Sequence, residues 1–276
     1  MVEIEDLVVL MKTRIISAIV LLLIMVPIIL AGGLIFDIGI YIISIFGLKE
    51  FLDIKEQKKA LPFFVKIMCY ILFTFVIFGT NINSNNILSI DFRIVSALFL
   101  VLLIPNILYH DKSIYSINDA FYLIGGVLFL SVAFSAIIVL RKMNLAILIY
   151  LALITVLTDT YAYFGGYFIG RHKLISEISP KKTWEGSLIG TSFCVFACTI
   201  FYKTVIDADI SLSLIVAITF LLSVVSQFGD LVFSSIKRYF NKKDFSNLIP
   251  GHGGILDRLD SFIFATLCFM FIISLI

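Results

Sequence analysis

The sequence predicts an all-α polytopic integral membrane protein of about nine transmembrane helices, N-terminus cytoplasmic, folded as one domain over residues 1–276. Composition is the first reason. Of the residues, 61% are hydrophobic and 14% charged, with mean hydropathy +1.09, against roughly 45–50% and 25% in a soluble domain. The second is that the apolar surplus, 27 Phe included, runs the whole length and leaves no stretch for a soluble domain. The third is where Lys and Arg fall, since loop cations and not the net charge of +2 set orientation.

A hydrocarbon core ~30 Å thick asks for roughly 20 apolar residues at 1.5 Å each. Nine runs come near it: Ile15–Leu30, Gly33–Leu48, Leu61–Gly79, Ile94–Tyr109, Ala120–Leu140, Leu145–Ile169, Ser187–Ile206, Leu212–Phe233 and Leu259–Ile276. The first two are short and joined by Ala31-Gly32-Gly33, which reads as a tight helical hairpin. The first follows a mixed-charge start and is succeeded at once by more spans, so it reads as a retained anchor and not as a cleaved signal. Asp37, inside the second run, is either a functional acid or a residue at the outer interface of a short helix.

With the N-terminus inside, seventeen of the 21 Lys and Arg fall in cytoplasmic segments, leaving Arg93, Arg141, Lys142 and Lys203 outside. That bias places the two long polar loops, Gly170–Gly186 and Ser234–Gly254, in the cytoplasm. Arg141-Lys142 is the local dissent. The Asn-rich stretch Asn81–Asp91 reads as a solvated outer connector. Cys69, Cys194, Cys198 and Cys268 sit in apolar runs without CxxC spacing or neighbouring His, and read as small core hydrophobes.

The sixth run ends in Thr158-Asp159-Thr160-Tyr161-Ala162-Tyr163-Phe164-Gly165-Gly166. A carboxylate a turn deep in an apolar helix needs a metal, several donors, or a Lys or Arg from a neighbouring helix. Gly165-Gly166 and Gly170 also suit helix packing, the better reading for Gly170. The loop that follows holds Ser179, Lys181, Lys182, Thr183, Trp184, Glu185 and Gly186. It is either a phosphate or head-group loop, or an interfacial anchor with Trp184 among the head groups and the lysines snorkelling. The eighth run ends at Gly229-Asp230. If it and the ninth are antiparallel neighbours, Asp230 and Asp257 share a depth; a salt bridge from Asp230 to Arg238 or Arg258 is the plainer reading.

The densest stretch is Ser234–Asp260, SSIKRYFNKKDFSNLIPGHGGILDRLD. Cations, a Gly251-His252-Gly253-Gly254 turn whose bare backbone can approach an anion, and acids suited to a hard divalent cation together describe a phosphate site. A basic cytoplasmic loop is the bland alternative, and it leaves unexplained the His-Gly-Gly and two acids at the mouth of an apolar segment. Asp257 and Asp260, at i and i+3, share a face of a helix that begins near Ile255.

The residues Ser234, Lys237-Arg238, Lys243-Asp244, Ser246, Ile249-Pro250, His252-Gly253-Gly254 and Asp257-Arg258-Leu259-Asp260 resemble the signature of the phosphatidate cytidylyltransferases, or CDP-diacylglycerol synthases. The Asp159 helix and the Ser179–Gly186 loop are similar to two further motifs of that family. The resemblance covers about Leu157 to Asp260, whereas the N-terminal half matches in hydropathy alone.

The resemblance implies transfer of cytidylyl from CTP to phosphatidate, with release of pyrophosphate, by an enzyme of the inner membrane whose active site faces the cytoplasm. Residues 151–276 would be the catalytic part, and 1–150 the N-terminal spans. It implies Asp230 and Asp257 as ligands of Mg2+, with room for a second cation such as K+, and Asp260 and Asp159 close by. Lys237, Arg238, Lys243 and Arg258 would grip phosphates, with Asp244, Gly253 and Gly254 in the same loop. Lys181, Lys182, Ser179 and Thr183 would form the opposite wall. His252 either orients a phosphate, acts as an acid toward pyrophosphate, or holds the turn. CTP, phosphatidate and the bilayer are the expected partners; nucleic acid is not, and Gly125-Gly126 suits packing within or between subunits, including a homodimer. The rivals are a CTP-dependent polyprenol or phytol kinase, a cytidylyltransferase acting on an archaeal ether lipid, and a divalent-cation transporter, which would spread its acids along a pore.

Overall fold

The computed structural model describes residues 2–82 and 91–275, so the connector expected at Asn81–Asp91 falls almost wholly outside the described residues. The helices are α1 (Val2–Ala31), α2 (Gly33–Glu56), α3 (Phe63–Ile82), α4 (Phe92–Leu103), α5 (Pro105–Leu108), α6 (Ile117–Met143), α7 (Leu145–Phe168), α8 (Trp184–Phe201), α9 (Leu212–Tyr239) and α10 (Leu256–Leu275). A π-helical turn, Tyr202–Ile206, continues α8. Among the described residues six helices are long and apolar enough to cross a bilayer: Lys12–Ala31 of α1, α6, α7, α8 with its π turn, α9 and α10. Phe63–Gly79 and Phe92–Leu108 are shorter apolar helices.

The breaks have local causes. Gly32, at φ 64°, separates α1 from α2, a backbone that side-chain-bearing residues rarely adopt. Pro105 has no N–H for the turn before it, so the fourth run divides into α4 and α5. Asn144 caps α7 by accepting from Ala146 N at 2.8 Å. Leu48 does not end α2, which continues through Lys49, Glu50 and Asp53 to Glu56.

The chain forms two compact units, Met1–Lys142 with Asp244–Asp257, and Met143–Lys243 with Arg258–Ile276. In the first, α6 is the most buried of the long apolar helices. It meets α2 where Gly126 leaves room for the Phe51 ring, which also stacks on Tyr122 with centroids 4.6 Å apart. The Arg141-Lys142 dissent resolves inside this unit. Arg141 donates to Ile29 O (2.8 Å) and Leu30 O (3.2 Å) at the C-terminal end of α1, and Lys142 pairs with Asp37 at 2.8 Å. These cations hold the α1–α2 hairpin, so their place in the chain follows from packing as well as from orientation.

In the second unit α7, α8 and α9 pack together through small residues. A side chain at Gly190 would strike Thr158 O and Ala162, and one at Gly165 would strike Ile189. Gly170 is likewise closed off by Gly166 O and Thr183, the packing role expected for it. Hydroxyls bridge the helices: Thr158 Oγ1 and Ser223 Oγ lie 2.8 Å apart, and Gln227 Nε2 donates to Thr191 Oγ1 at 2.8 Å.

Candidate functional site

The Gly170–Gly186 loop is an antiparallel hairpin, β1 (Lys173–Ile175) and β2 (Ser179–Thr183), a feature that the charge pattern did not suggest. Glu185 closes its base, accepting from the backbone N–H of Arg171 (3.1 Å) and His172 (3.2 Å). Thr183 ends β2 and caps α8, its Oγ1 accepting from Gly186 N at 3.2 Å. The hairpin therefore leads straight into α8 and carries Ser179, Lys181 and Lys182 to the end of α7. There a cavity of about 620 Å³ is lined by Asp159, Tyr163, Lys173, Ser179, Lys181, Lys182, Thr183, Gln227 and Asp230, among others. Part of the sequence-predicted set thus meets in one place: an acid from each of α7 and α9, and the SPKKT lysines.

Asp230 pairs with Lys182, a partner that neither sequence reading named, and Ser234 Oγ donates to its other oxygen at 3.3 Å. Asp260 of α10 and Lys237 lie near enough to act on its carboxyl. Asp260 is buried, 8% exposed. Gly229 makes the approach of α9 to α10 possible, because a Cβ there would sit 2.8 Å from Asp260 O. Arg238 does not reach Asp230; it donates to Lys242 O at 2.9 Å and Ile178 O at 3.4 Å, linking the end of α9 to the hairpin.

Asp159, Asp230 and Asp260 offer three hard oxygen donors against Lys182 and Lys237. Carboxyls gathered this closely in an apolar setting call for a proton or a cation among them, and hard oxygen donors are the type that suits Mg2+. Ready-made ligand spacing is another matter: among the described residues no group of three His, Cys, Asp or Glu stands positioned to hold a metal ion. The match to Mg2+ is thus one of donor type and not of placement, and Lys182 sits against one oxygen of Asp230.

The signature loop belongs to the first unit. Asp257 Oδ2 accepts from Phe245 N and Gly254 N, both at 2.8 Å. Glu50, 3% exposed on α2, accepts from Ser246 Oγ (2.6 Å), Ile255 N (2.8 Å) and Leu256 N (2.9 Å), and so caps α10 from another helix. The amides of His252 and Gly253 donate to Ile249 O. Every backbone N–H from His252 to Leu256 is therefore used within the protein, and the glycines serve close packing. A Cβ at Gly254 would lie 2.5 Å from the Glu50 carboxylate, and Gly253, at φ 86°, has Asp257 Oδ2 at 2.9 Å from the Cβ position. Helix α1 holds the same turn: Ser17 Oγ stands 2.8 Å from His252 Nδ1 and donates to Pro250 O, while Arg14 Nε donates to Gly251 O at 3.1 Å. Those contacts favour the turn-holding reading of His252. Lys243, Asp244 and Arg258 flank this loop in sequence.

Sequence reasoning missed Glu50, Arg14 and Ser17, because their partners lie over 190 residues away. The available hint was a charged tail, Lys49 to Glu56, on an otherwise apolar helix.

Residues 12–276 match the model of the cytidylyltransferase family. The chain is 35% identical over 255 residues to the phosphatidate cytidylyltransferase of Staphylococcus haemolyticus (strain JCSC1435), covering 92% of this chain and 95% of that protein. With the proteins of the same name from Staphylococcus saprophyticus (strain ATCC 15305) and Staphylococcus aureus (strain COL) identity is 33% and 34% at the same coverage.

Proposed function

The chain belongs to the cytidylyltransferase family, and from that membership we propose that it transfers cytidylyl from CTP to phosphatidate, giving CDP-diacylglycerol and pyrophosphate. The observation that carries the reading is the second unit's cavity, where Asp159 and Asp230 face Lys181 and Lys182 at the ends of apolar helices. A soluble triphosphate and a lipid phosphate both need cations where bilayer meets water.

The reaction forms a bond from a phosphatidate oxygen to the α-phosphorus of CTP and breaks the bond from that phosphorus to the oxygen bridging to the β-phosphate. The attacking phosphomonoester is already anionic at neutral pH, so no strong general base is required. The obstacle is repulsion between two polyanions and charge gathering on the leaving pyrophosphate. Lys173, Lys181 and Lys182 supply positive charge at the cavity, and Ser179 and Thr183 supply hydroxyls. Lys237, Arg238, Lys243 and Arg258 are proposed to add phosphate grip. Bound Mg2+ would neutralise and align the phosphates. Asp230 with Asp260 and Asp159 would hold it; Asp257, and a second cation such as K+, are proposed on the family resemblance alone. Lys182 would exchange its carboxylate for a substrate phosphate as the donors turn to the ion. Gly253, Gly254 and His252 shape the signature loop, with Asp244 beside them.

The bias of cations toward one side supports nine spans, a cytoplasmic N-terminus and a cytoplasmic site in the inner membrane. Open space beside Gly125 leaves room for a second copy.

The test is purified protein with labelled CTP, phosphatidate and Mg2+, scored for liponucleotide and pyrophosphate and repeated with chelator. Liponucleotide with stoichiometric pyrophosphate is expected, abolished by chelation. Release of CDP with a phosphorylated lipid would make the protein a lipid kinase, and no turnover of CTP would remove the reading.

A further inference from the structure

A second concavity of about 710 Å³ adjoins the polar cavity and shares Leu174, Ser187 and Gln227 with it. Its walls are two facing stripes. On α8 they include Trp184, Leu188, Thr191 and Val195, and on α9 Leu231, Phe228, Val224 and Phe220. Steps of three and four residues keep each stripe on one helix face. Trp184, Leu188, Phe220 and Phe228 are all more than half exposed, so this apolar channel is open along its side.

Each stripe spans twelve residues, eleven rises of 1.5 Å or about 16 Å, which is about half of a ~30 Å hydrocarbon core. The channel is thus one leaflet deep. It starts where α8 begins and α9 approaches its end, beside the lysines of the hairpin, and runs down both helices away from them. Any occupant must be a hydrocarbon chain whose polar end stops at Leu174, Ser187 and Gln227, with anionic groups toward Lys181 and Lys182.

We propose that the α8–α9 channel is the acyl-chain subsite of the lipid substrate, holding one fatty chain of a phosphomonoester lipid whose head group lies in the polar cavity. This rests on the reaction proposed above and adds what it lacks: a site that senses chain length. Binding energy gathered along the channel fixes the phosphate at the cavity, so a chain too short to fill it forfeits affinity at every missing methylene.

The experiment uses the full-length enzyme in mixed micelles, with phosphatidates of six-, ten- and sixteen-carbon chains. The wild type should gain kcat/KM with length. Ser192→Phe and Val224→Phe, which fill the channel from either wall, should lower kcat/KM for the sixteen-carbon lipid about tenfold or more while leaving the six-carbon lipid and KM for CTP unchanged. Trp184, the sole tryptophan, gives a reading independent of turnover: phosphatidate with brominated chains should quench it more strongly than brominated phosphatidylcholine at equal mole fraction. Equal quenching by both lipids, or equal losses at all chain lengths, would overturn the subsite and make the channel a seat for bulk lipid. Absence of liponucleotide with every phosphatidate would overturn the reaction instead.

Discussion

Two groups of acids put the same functional group to opposite uses. In the first unit Glu50 spends both its oxygens, and Asp257 its Oδ2, on Ser246 Oγ and the amides of Phe245, Gly254, Ile255 and Leu256. Their charge rests on N–H dipoles at the positive end of α10, and the result is a loop sewn shut at both ends. In the second unit Asp159 and Asp230 open on a cavity, and Asp230 pairs with Lys182 with Asp260 nearby. Carboxylates facing each other in an apolar setting cost stability unless a proton or cation lies between them. Oxygens that accept amides hold a loop in shape, whereas oxygens that face charge at a cavity stay within reach of whatever enters it.

The largest expected effect breaks that comparison at its chemical end. Asp230→Asn should cut kcat about a hundred- to a thousandfold while its melting temperature in detergent moves little, since loss of the Lys182 pair and relief of crowding among the three acids oppose each other. Full activity in this variant would place Asp230 with the shape-giving acids. Next comes Glu50→Ala. It strands three donors at about 1–3 kcal/mol each, so a loss of about 3 kcal/mol or more is expected by thermal denaturation, with activity falling only as the folded fraction falls. A Glu50→Ala protein that melts normally yet turns over no CTP would put Glu50 among the chemical acids.

How much of this was legible depended on the distance over which each residue acts. The helical class, the α1–α2 hairpin at Ala31-Gly32-Gly33 and the start of α10 one residue from Ile255 follow from local hydropathy and glycine placement. Asp159, Lys181, Lys182 and Asp230 each stood out locally, as an acid inside an apolar run, a basic pair in the loop that follows and an acid at the end of a later run, but it took the family resemblance to put them in one site. Glu50 did not stand out, because a cap supplied from a helix some 200 residues upstream leaves no trace in the spacing of the loop it caps. The turn Gly251 to Gly254 was ambiguous for a related reason. Glycines that admit an anion and glycines that admit a carboxylate of the same chain look identical in sequence, and only the positions of Glu50 and Asp257 tell them apart.

Lys182→Gln sharpens the comparison with a smaller effect. A charge-assisted contact to phosphate is worth about 1.5–3 kcal/mol, so the apparent KM for CTP should rise about tenfold or more at nearly unchanged melting temperature. An unchanged KM would make Lys182 a structural partner of Asp230 and return the hairpin to the interfacial-anchor reading.

The smallest effect belongs to an acid of a third kind. Asp37 pairs with Lys142 at 2.8 Å, and the two side chains are 22% and 46% exposed, so solvent screens the pair to about 1 kcal/mol or less. Its other oxygen is buried without a hydrogen-bond partner among the described residues. Asp37→Asn therefore gives up the screened ion pair while lowering the cost of burying the unpartnered oxygen, and the two changes oppose each other. Melting should shift by less than the equivalent of about 1 kcal/mol, with turnover intact. A collapse of activity would show Asp37 working beyond the hairpin it closes, and the division between acids that shape and acids that react would have to extend into the N-terminal half.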